Sequence, residues 1–500
     1  MKYIEGTPRK QMYLFNECID EIIEDDNIVR FIDAYVETLD MESIGFKMPE
    51  GTTGTPPYRP QLKLKIYIYG YFEKIRSSRK LEKECRRNKE LIWLTNALIP
   101  DFKTIADFRK DNHKAFKNIF KEFLKLCHKL QLLSFKTVAI DGTKMRGQNS
   151  LNEVYRKETI EKVEKEIGEQ INNYLKELDE ADKKDQAGNF SLNSDRIKEI
   201  TARLSKQMKR KDKVEIIKGI FAQNPELKIY FAADNDCRLQ SDKGKIRPGY
   251  NPQIAVEGKN KLIVVADVTN EQNDKKQLTP MVNQVKEVKN DLIVEVKTDA
   301  IADAGYYSEK EIINNNNQDG ITVVISPDSA NKKISSSEEK KEDSEKYKQK
   351  NFDYDKKSDV YICPTGNILE KTNREVFFDK NGREVNSYQC KAGTCEICSQ
   401  KGFCTNGEHG RKLLMSANKA IMQSYIESLK SKENKRLISK RKELVEHPFG
   451  TIKRNFGYTY FLLKGIDKVR AEFSFICFTY NLKRVLNIFS VKELIALVNV

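Results

Sequence analysis

The stretch FKTVAIDGT at residues 135–143 decides how the rest of the chain is interpreted. Its apolar residues 138–140 end abruptly at Asp141, which a glycine follows. A short apolar run with β-branched members predicts a buried strand. A strand that ends on a carboxylate and a glycine holds an acid at a sheet edge, with room for another molecule to approach. Because most Asp-Gly pairs are ordinary turns, a catalytic interpretation of Asp141 depends on partner carboxylates elsewhere.

The composition narrows the class of protein. The chain has 500 residues, 39% of them hydrophobic and 33% charged, with a formal net charge of +15. This length allows two or three domains, and the positive charge favours nucleic acid as a partner. We expect no membrane span and no secretory signal, because no sufficiently long apolar run is present. Ten cysteines in such a chain are expected to be reduced thiols, so the predicted location is the cytoplasm.

Shifts in composition divide the chain into regions. A Gly-, Pro- and Thr-rich stretch predicts a linker, and a Glu/Lys-rich stretch with apolar residues at helical intervals predicts an inserted helical hairpin. The predicted regions are N-terminal helices at 1–45, a linker at 46–60, a helical DNA-binding domain at 61–132, a core at 133–327 interrupted by the hairpin at 151–215, a low-complexity and Cys-rich insertion at 328–420, and C-terminal helices at 421–500 that complete the core.

A basic segment, RSSRKLEKECRR at residues 76–87, follows a predicted helix. A serine can cap a second helix here, and its first turns carry basic side chains, which favours a helix-turn-helix-like contact with DNA. The alternative is a solvated basic face, the commoner outcome for a run of charges. The residues predicted to contact DNA in this segment are Arg76, Arg79, Lys80, Arg86 and Arg87.

Strand patterns return after the hairpin. Residues 249–258 alternate polar and apolar side chains, and residues 261–270 form a nearly continuous apolar run after a short turn, which predicts a β-hairpin. A helix follows, then a strand within residues 292–308 that runs out into Asp303, a short helix, and a last strand at 321–327. This order of strands and helices predicts an α/β fold of the RNase H-like type.

A third acid, Glu446, lies beside an apolar helical stripe within residues 445–456. Lys442 precedes it by one turn and Lys453 follows it by two. A carboxylate flanked by cations along a helix can hold a metal ion while the cations hold phosphates. Pro448 costs about 3 kcal/mol inside a helix, so we expect a bend or a helix restart near it.

Asp141, Asp303 and Glu446 fit one chemical scheme. Carboxylate oxygens are the ligands that Mg²⁺ and Mn²⁺ prefer. Two such ions about 3.5–4 Å apart activate the attacking group and stabilise the leaving oxygen when a phosphodiester is displaced. Asp299 is a rival for the second position, but the Asp-x-Gly-Tyr context favours Asp303.

Taken together, these motifs resemble the DDE transposases of bacterial insertion sequences, which have an RNase H-like core and an N-terminal helical domain. The resemblance runs over nearly the whole chain. The motifs that carry it are RPQLKLKIYIYGY, RSSRKLEKECRRN and PDFKTIADFRKDN in the helical region, and VAIDGTK, GYNPQIAV, ADAGYYS and VEHPFGTIKRNFG in the core.

The resemblance implies that Asp141, Asp303 and Glu446 are the catalytic acids and bind Mg²⁺ or Mn²⁺. It further implies that Lys442 and Lys453 contact DNA. Lys442 stands where arginine is commoner, although Arg441 is adjacent, and Ser439 replaces the usual tyrosine.

The implied partners are the terminal inverted repeats of the element and target DNA, bound by a homodimer in a bacterial, nucleoid-associated setting. Two alternatives stay open: a transposon-derived DNA-binding protein without catalysis, and a metal-dependent nuclease of the same fold.

The remaining motif is a group of cysteines. Cys390, Cys395, Cys398 and Cys404 have spacings typical of structural zinc sites, and Cys363 or His409 could replace one of them. The alternative is a set of reduced surface thiols. The other cysteines are expected to be packing residues.

Overall fold

The computed structural model describes most of the chain. The described residues are 18–48, 56–185, 190–316, 320–327, 347–355, 357–372, 375–379 and 384–498. Parts of the predicted N-terminal helices (1–17), of the linker (49–55) and of the low-complexity insertion (328–346) lie outside them. Within the described ranges, no helix is both long and apolar enough to cross a lipid bilayer.

Strands and helices alternate in the middle of the chain, and helices flank them on both sides. The helices are α1 (Ile19–Ile22), α2 (Ile28–Glu37), α3 (Met41–Ile44), α4 (Pro60–Phe72), α5 (Ser78–Arg87), α6 (Lys89–Leu94), α7 (Phe102–Asp111), α8 (His113–Lys129), α9 (Ile160–Asp185), α10 (Phe190–Gln223), α11 (Leu278–Asp291), α12 (Glu309–Asn316), α13 (Lys401–Cys404), α14 (Lys419–Ser428), α15 (Lys432–Gly450), α16 (Ile466–Leu486) and α17 (Val491–Val498).

The strands belong to a main sheet, a second sheet and one isolated pair. They are β1 (Thr137–Gly142), β2 (Met145–Arg146), β3 (Val154–Arg156), β4 (Ile229–Phe231), β5 (Arg238–Asp242), β6 (Lys245–Glu257), β7 (Ile263–Thr269), β8 (Thr298–Ala302), β9 (Ile321–Val324), β10 (Asp353–Asp355), β11 (Val360–Ile362), β12 (Ile368–Lys371), β13 (Phe377–Phe378), β14 (Glu384–Cys390) and β15 (Lys412–Ser416).

Strand β1 lies at the centre of the main sheet. On one side it pairs antiparallel with β6, which pairs antiparallel with β7; on the other it pairs parallel with β8, which pairs parallel with β9. Residues 138–140 are all fully buried, as expected for a strand covered on both faces. The predicted hairpin of β6 and β7, followed by α11, β8, α12 and β9, is confirmed.

Helix α16 packs against the main sheet and is buried nearly all round. Fourteen of its 21 residues are buried, which identifies it as a core helix rather than a surface one. Its Asn481 side chain accepts from the backbone N–H of Ile263 and donates to that residue's carbonyl, both at 2.8 Å. These bonds satisfy backbone groups on the outer strand β7, which would otherwise offer an unpaired edge.

The N-terminal helices share this core. The ring of Tyr35 on α2 stacks 6.3 Å from Phe478, and the ring of Phe116 on α8 meets Phe475 edge-on at 4.9 Å. Helices α8 and α16 pack along each other, and α17 packs on α2. The N-terminal helical region and the C-terminal helices therefore share one hydrophobic core.

The predicted helical hairpin is present as α9 and α10. The two helices pack through buried residues that include Ile167, Val214 and Ile217. Strands β3 and β4 pair at its base. The hairpin extends to Gln223, eight residues beyond the predicted limit of 215.

The Cys-rich part of the predicted insertion forms a sheet of its own. Its strands follow the order β10–β11–β12–β14–β13, with β15 on the other side of β14. Tyr361, Leu369 and Tyr388 belong to its small core. The sequence did not indicate these strands because several span only two to four residues and carry exposed side chains.

Candidate active site

Asp141 and Asp303 lie side by side at the same edge of the main sheet. Strands β1 and β8 are parallel, and Ile140 is in register with Ala302. Each acid is the next residue along its strand, and neighbouring strands are about 4.8 Å apart. Asp141 Oδ1 accepts from the N–H of Gly142 at 2.9 Å, and Asp303 Oδ1 accepts from the N–H of Ala304 at 2.7 Å. The sheet therefore brings two of the three predicted acids together.

The rival residue Asp299 lies at the opposite end of β8. Its register partner on β1 is Thr137. Four residues of strand separate it from Asp303, which is roughly 13 Å at 3.3 Å per residue. Asp299 therefore cannot share a site with Asp141 in this sheet.

Arg441 lies between the two acids. Its Nη1 is 3.6 Å from Asp141 Oδ2 and its Nη2 is 3.6 Å from Asp303 Oδ1. The family resemblance assigned the basic residue before Glu446 to Lys442. Lys442, however, is exposed on α15. The helix repeat could have identified Arg441, because residues three, four and seven positions later, Leu444, Val445 and Pro448, are buried.

The surroundings oppose a negative charge on Asp141. Burial is the main cause that raises the pKa of Asp141, and the charges of Asp303 and Asp274 raise it further. Arg441 and the N–H of Gly142 lower it. Together they raise the pKa of Asp141 from 3.8 to about 6. A carboxyl group whose pKa is raised in this way is typical of a functional site.

Asp274, which the sequence analysis did not single out, lies beside Gly142, the residue after the first acid. Its Oδ1 accepts from Asn251 Nδ2 at 2.7 Å and from Gln253 Nε2 at 2.8 Å. Gln253 Oε1 in turn accepts a short hydrogen bond from Tyr306, which lies in the turn after Asp303. The network thus links the β6 strand to the turn that carries the second acid. A polar loop such as that around Asp274 has no sequence signal that separates it from a solvated one.

Gly142 is required by this network. A Cβ at this position would lie 2.3 Å from Gln253 Nε2 and 3.0 Å from Asp274 Oδ1. The first contact is shorter than real Cβ atoms allow and the second is tight, so the glycine lets these side chains pack directly against the strand. The Asp-Gly pair is therefore not an ordinary turn.

Lysines border the site on its β2 side. Lys453 Nζ donates to the carbonyl of Lys144 at 2.8 Å, and Lys144 Nζ lies 3.8 Å from Asp274 Oδ1. Burial lowers the pKa of both lysines. Lys453, predicted from its spacing to Glu446, therefore faces the loop that follows Asp141.

Glu446 lies on the same helix but on its exposed side. Helix α15 packs against β1 and β8 and includes Pro448 without a restart, ending instead in a π-helical turn at Thr451–Asn455. Among the residues that the structure describes, no three His, Cys, Asp or Glu side chains form a ready-made metal site. The oxygen ligands of Asp141 and Asp303 suit Mg²⁺ or Mn²⁺. The place of Glu446 beside them stays a prediction.

Arg76, which lies just before helix α5, does not have the exposed position that a DNA contact requires. Arg76 is only 8% exposed; its Nη1 donates to the carbonyl of Tyr460 at 2.9 Å and lies 3.4 Å from the carboxylate of buried Glu472. Its guanidinium also stacks over the ring of Tyr458 at 4.4 Å. This burial is at odds with the predicted DNA contact, because Arg76 joins the helical region to α16.

The other predicted cations of α5 are exposed. Arg86 pairs with Glu82 at 2.9 Å, and Arg87 pairs closely with Glu84. Arg79 lies 5.0 Å over the ring of Phe102. Exposed pairs of this kind contribute little to stability, so these side chains can exchange their partners for phosphate groups.

A large open cleft adjoins the turn that carries Asp303. Its volume is about 1660 Å³, and residues 307–311 line it together with Lys275 and Lys276. The second sheet and α14 form the opposite wall, where Lys419 Nζ lies 4.4 Å over the ring of Tyr354. Lysines and tyrosines therefore line a cleft that begins a few residues after Asp303.

Two family models match parts of the chain. A model described as Transposase DDE domain matches residues 362–486, and one described as Transposase domain (DUF772) matches residues 17–111. The first includes Arg441 and Glu446 but neither Asp141 nor Asp303, and the second covers the helices from α1 to α7.

No curated protein matches the chain. Among solved structures, the cryo-EM structure of the piggyBac transposase synaptic complex with hairpin DNA matches with 11% identity and a TM-score of 0.24, over 94% of this chain and 76% of that one. These values are too low to bear on the fold.

The family matches agree with the earlier resemblance and fall on both ends of the chain, around the sheet that holds the acidic pair. The chain therefore carries a match to a DDE transposase domain and one to a second transposase domain, which together indicate a DNA-cleaving transposase.

Proposed function

We propose that this transposase binds the terminal inverted repeats of its own element, cleaves the DNA at each end and joins the freed 3′-hydroxyls to target DNA. The observation that carries the proposal is the register of β1 and β8, which places Asp141 beside Asp303, with Arg441 between them. The joining of two ends further implies a homodimer on DNA, in the cytoplasm of a bacterial cell and associated with its nucleoid.

The fold proposed for the core is RNase H-like. Its support is the sheet order β7–β6–β1–β8–β9, in which an antiparallel trio precedes two strands parallel to β1. Acids at the ends of adjacent parallel strands occupy the edge of an α/β sheet where ligands bind.

Asp141 and Asp303 would hold Mg²⁺ or Mn²⁺, and Glu446, whose carboxylate is open to solvent, would complete the ligands. The ions supply charge neutralisation and activation of the nucleophile in phosphodiester displacement. Without a metal ion, Arg441 partly compensates the charge of the two aspartates. Its planar guanidinium suits bidentate contact with phosphate, so Arg441 would turn to a nonbridging oxygen of the DNA once the acids have other partners.

The buried network behind Asp141 would hold the site rigid. Tyr306, Gln253 and Asp274 connect the turn after Asp303 to strand β6 through side-chain hydrogen bonds. Such supporting bonds fix the orientation of the side chains that bind a metal. Lys144 and Lys453 would add positive charge on the β2 side of the DNA phosphate.

The cleft next to Asp303 is the proposed path of the DNA beyond the cleavage point. Lys275, Lys276 and Lys310 border it on the core side and Lys419 and Lys430 on the opposite side. Lysines bind phosphate groups, and tyrosine rings can stack on unpaired bases.

The direct test incubates the protein with labelled DNA that carries the terminal repeats, in Mg²⁺ or Mn²⁺. We expect cleavage at the repeat boundary, lost in Asp141→Asn and Asp303→Asn. Asp299→Asn is a matched control, because Asp299 is an acid on the same strand as the Asp303 turn but at its far end. Cleavage by Asp303→Asn together with loss in Asp299→Asn would refute the assignment of the second acid.

The same assay separates the two alternatives. Binding to the repeats without cleavage in either metal would favour a DNA-binding protein without catalysis. Cleavage without products joined to target DNA would favour a nuclease of the same fold.

A further inference from the structure

The cysteines of the second sheet converge on one small cavity. Their side chains line a space of about 20 Å³ at the end of the sheet. They come from three segments: the turn after β11, the end of β14 with the loop that follows it, and helix α13. The five residues are Cys363, Cys390, Cys395, Cys398 and Cys404.

Cys363 stands in a tight turn of the sequence Cys-Pro-Thr-Gly-Asn. Its sulfur accepts from the N–H of Asn367 at 3.2 Å and lies 2.9 Å from Thr365 Oγ1. The turn is closed by backbone bonds from Gly366 N–H to the Cys363 carbonyl and from Cys363 N–H to the Asn367 carbonyl, at 2.8 and 2.9 Å. Hydrogen bonds to a sulfur stabilise its thiolate, the form that binds metals. The turn therefore presents Cys363 as a ligand.

The other thiols face Cys363 across the cavity. Cys390, Cys395, Cys398 and Cys404 line the same cavity as Cys363, which brings the thiols of separate segments together at one place. Gly410, with φ +85°, is pressed against Cys395: a Cβ there would lie 2.8 Å from the Cys395 sulfur. The loop that follows α13 thus closes over the thiols.

The hydrophobic core of the second sheet is small among the residues that the structure describes. Its buried hydrophobic core consists of Phe352, Tyr361, Leu369, Tyr388 and Leu413. A sheet with so small a core commonly depends on a disulfide or a structural metal. All of these cysteines are free thiols in the structure, so no disulfide among them supplies this support.

We propose that the cluster is a structural Zn²⁺ site in which Cys363 and three of the four cysteines between 390 and 404 are the ligands. The thiols as they stand do not form a ready-made tetrahedral group within the described part of the chain. Each ligand sulfur would move to about 2.3 Å from the zinc and release its proton to solvent as the bond forms. The metal would tie the β11 turn to β14 and α13. Strands β11 and β14 also line the cleft beside Asp303. The zinc ion would therefore stabilise the wall of the cleft that the second sheet forms.

The experiment measures zinc by elemental analysis in untagged protein purified under reducing conditions, and cobalt absorbance after exchange. We expect one zinc per chain and the charge-transfer band of cobalt bound to thiolates. Cys363→Ser should lower both by at least about tenfold, because a lost thiolate removes one of four ligands. Cys18→Ser, an exposed cysteine outside the sheet, is the control and should leave both unchanged.

Wild-type protein without zinc after metal supplementation would overturn the proposal, and so would full zinc content in Cys363→Ser. Misfolding of a variant is detected independently by circular dichroism. If Cys363→Ser unfolds the chain, stripping zinc from the wild type with a chelator replaces it: a cobalt–thiolate band on refilling supports the site, and its absence refutes it. Loss of zinc binding would not touch the proposed role of Asp141 and Asp303, since their assay is independent.

Discussion

Replacing Asp141 with Asn in the metal-free protein should make the fold more stable at neutral pH. The raised pKa of Asp141, about 6 against an ordinary 3.8, means that the folded chain binds this proton more tightly than the unfolded chain. Stability is therefore lost as the pH rises from 3.8 towards 6, and the full cost is present above pH 6. Asparagine has the same shape without the charge, so it should remove the cost.

The size of the effect follows from the shift. About two pKa units at 1.36 kcal/mol each correspond to roughly 3 kcal/mol, in a side chain that is 23% exposed. The neutralising contact with Arg441 is already included in the shift. Asp141→Asn should therefore be more stable than the wild type by up to about 3 kcal/mol near pH 7.5 and equal to it below about pH 4.

Thermal unfolding of both proteins across this pH range, in a chelator, measures the difference. Added Mg²⁺ should then stabilise the wild type and leave Asp141→Asn nearly unchanged, because a ligand stabilises only the form that binds it. A melting temperature of the variant that is equal to or below that of the wild type at pH 7.5 would show that Asp141 does not carry a destabilising charge.

Three further changes test the surroundings of the acids. Arg76→Ala leaves the carboxylate of buried Glu472 without its cation and should cost about 3 kcal/mol; an unchanged melting temperature would contradict its structural role. Gly142→Ala should displace Gln253, cost about 1–3 kcal/mol and reduce cleavage, whereas full activity would show that the network is dispensable. Arg441→Ala should lower the cleavage rate by roughly 10²–10³-fold with repeat binding retained in a mobility-shift assay; cleavage at the wild-type rate would remove Arg441 from the site.

The central strands of the main sheet could be predicted from the sequence because they are apolar and largely buried. Residues 138–140 form a continuous apolar stretch and β7 a nearly continuous one, and such patterns indicate a buried strand whatever elements pack around it. The parallel pairing of β1 with β8 then follows from the order of elements. The juxtaposition of Asp141 and Asp303 was accordingly expected, and the register confirms that they are neighbours.

The side chains around the acids were less predictable. Asp274 reaches the site from a loop whose sequence is that of a solvated surface, and only the bonds from Asn251 and Gln253 show its place. The sequence predicts a DNA contact for Arg76 because a run of basic residues does not indicate which of its members are buried. Its partner Glu472 is 396 residues away, a pairing that no local pattern can reveal. The same holds for the second sheet, whose short strands acquire a hydrophobic face only when they pair.

The measurement that tests the central claim most directly is metal rescue at the second acid. A thiolate binds Mg²⁺ poorly and softer metals better, so Asp303→Cys should be inactive in strand cleavage with Mg²⁺ and regain activity with Mn²⁺. Asp299→Cys, at the other end of β8, should cleave in both metals. Rescue of Asp303→Cys by Mn²⁺ would establish that Asp303 binds the catalytic ion. Equal activity of Asp303→Cys and the wild type in Mg²⁺ would contradict the account, because the pair of aspartates would then not be the metal site of this transposase.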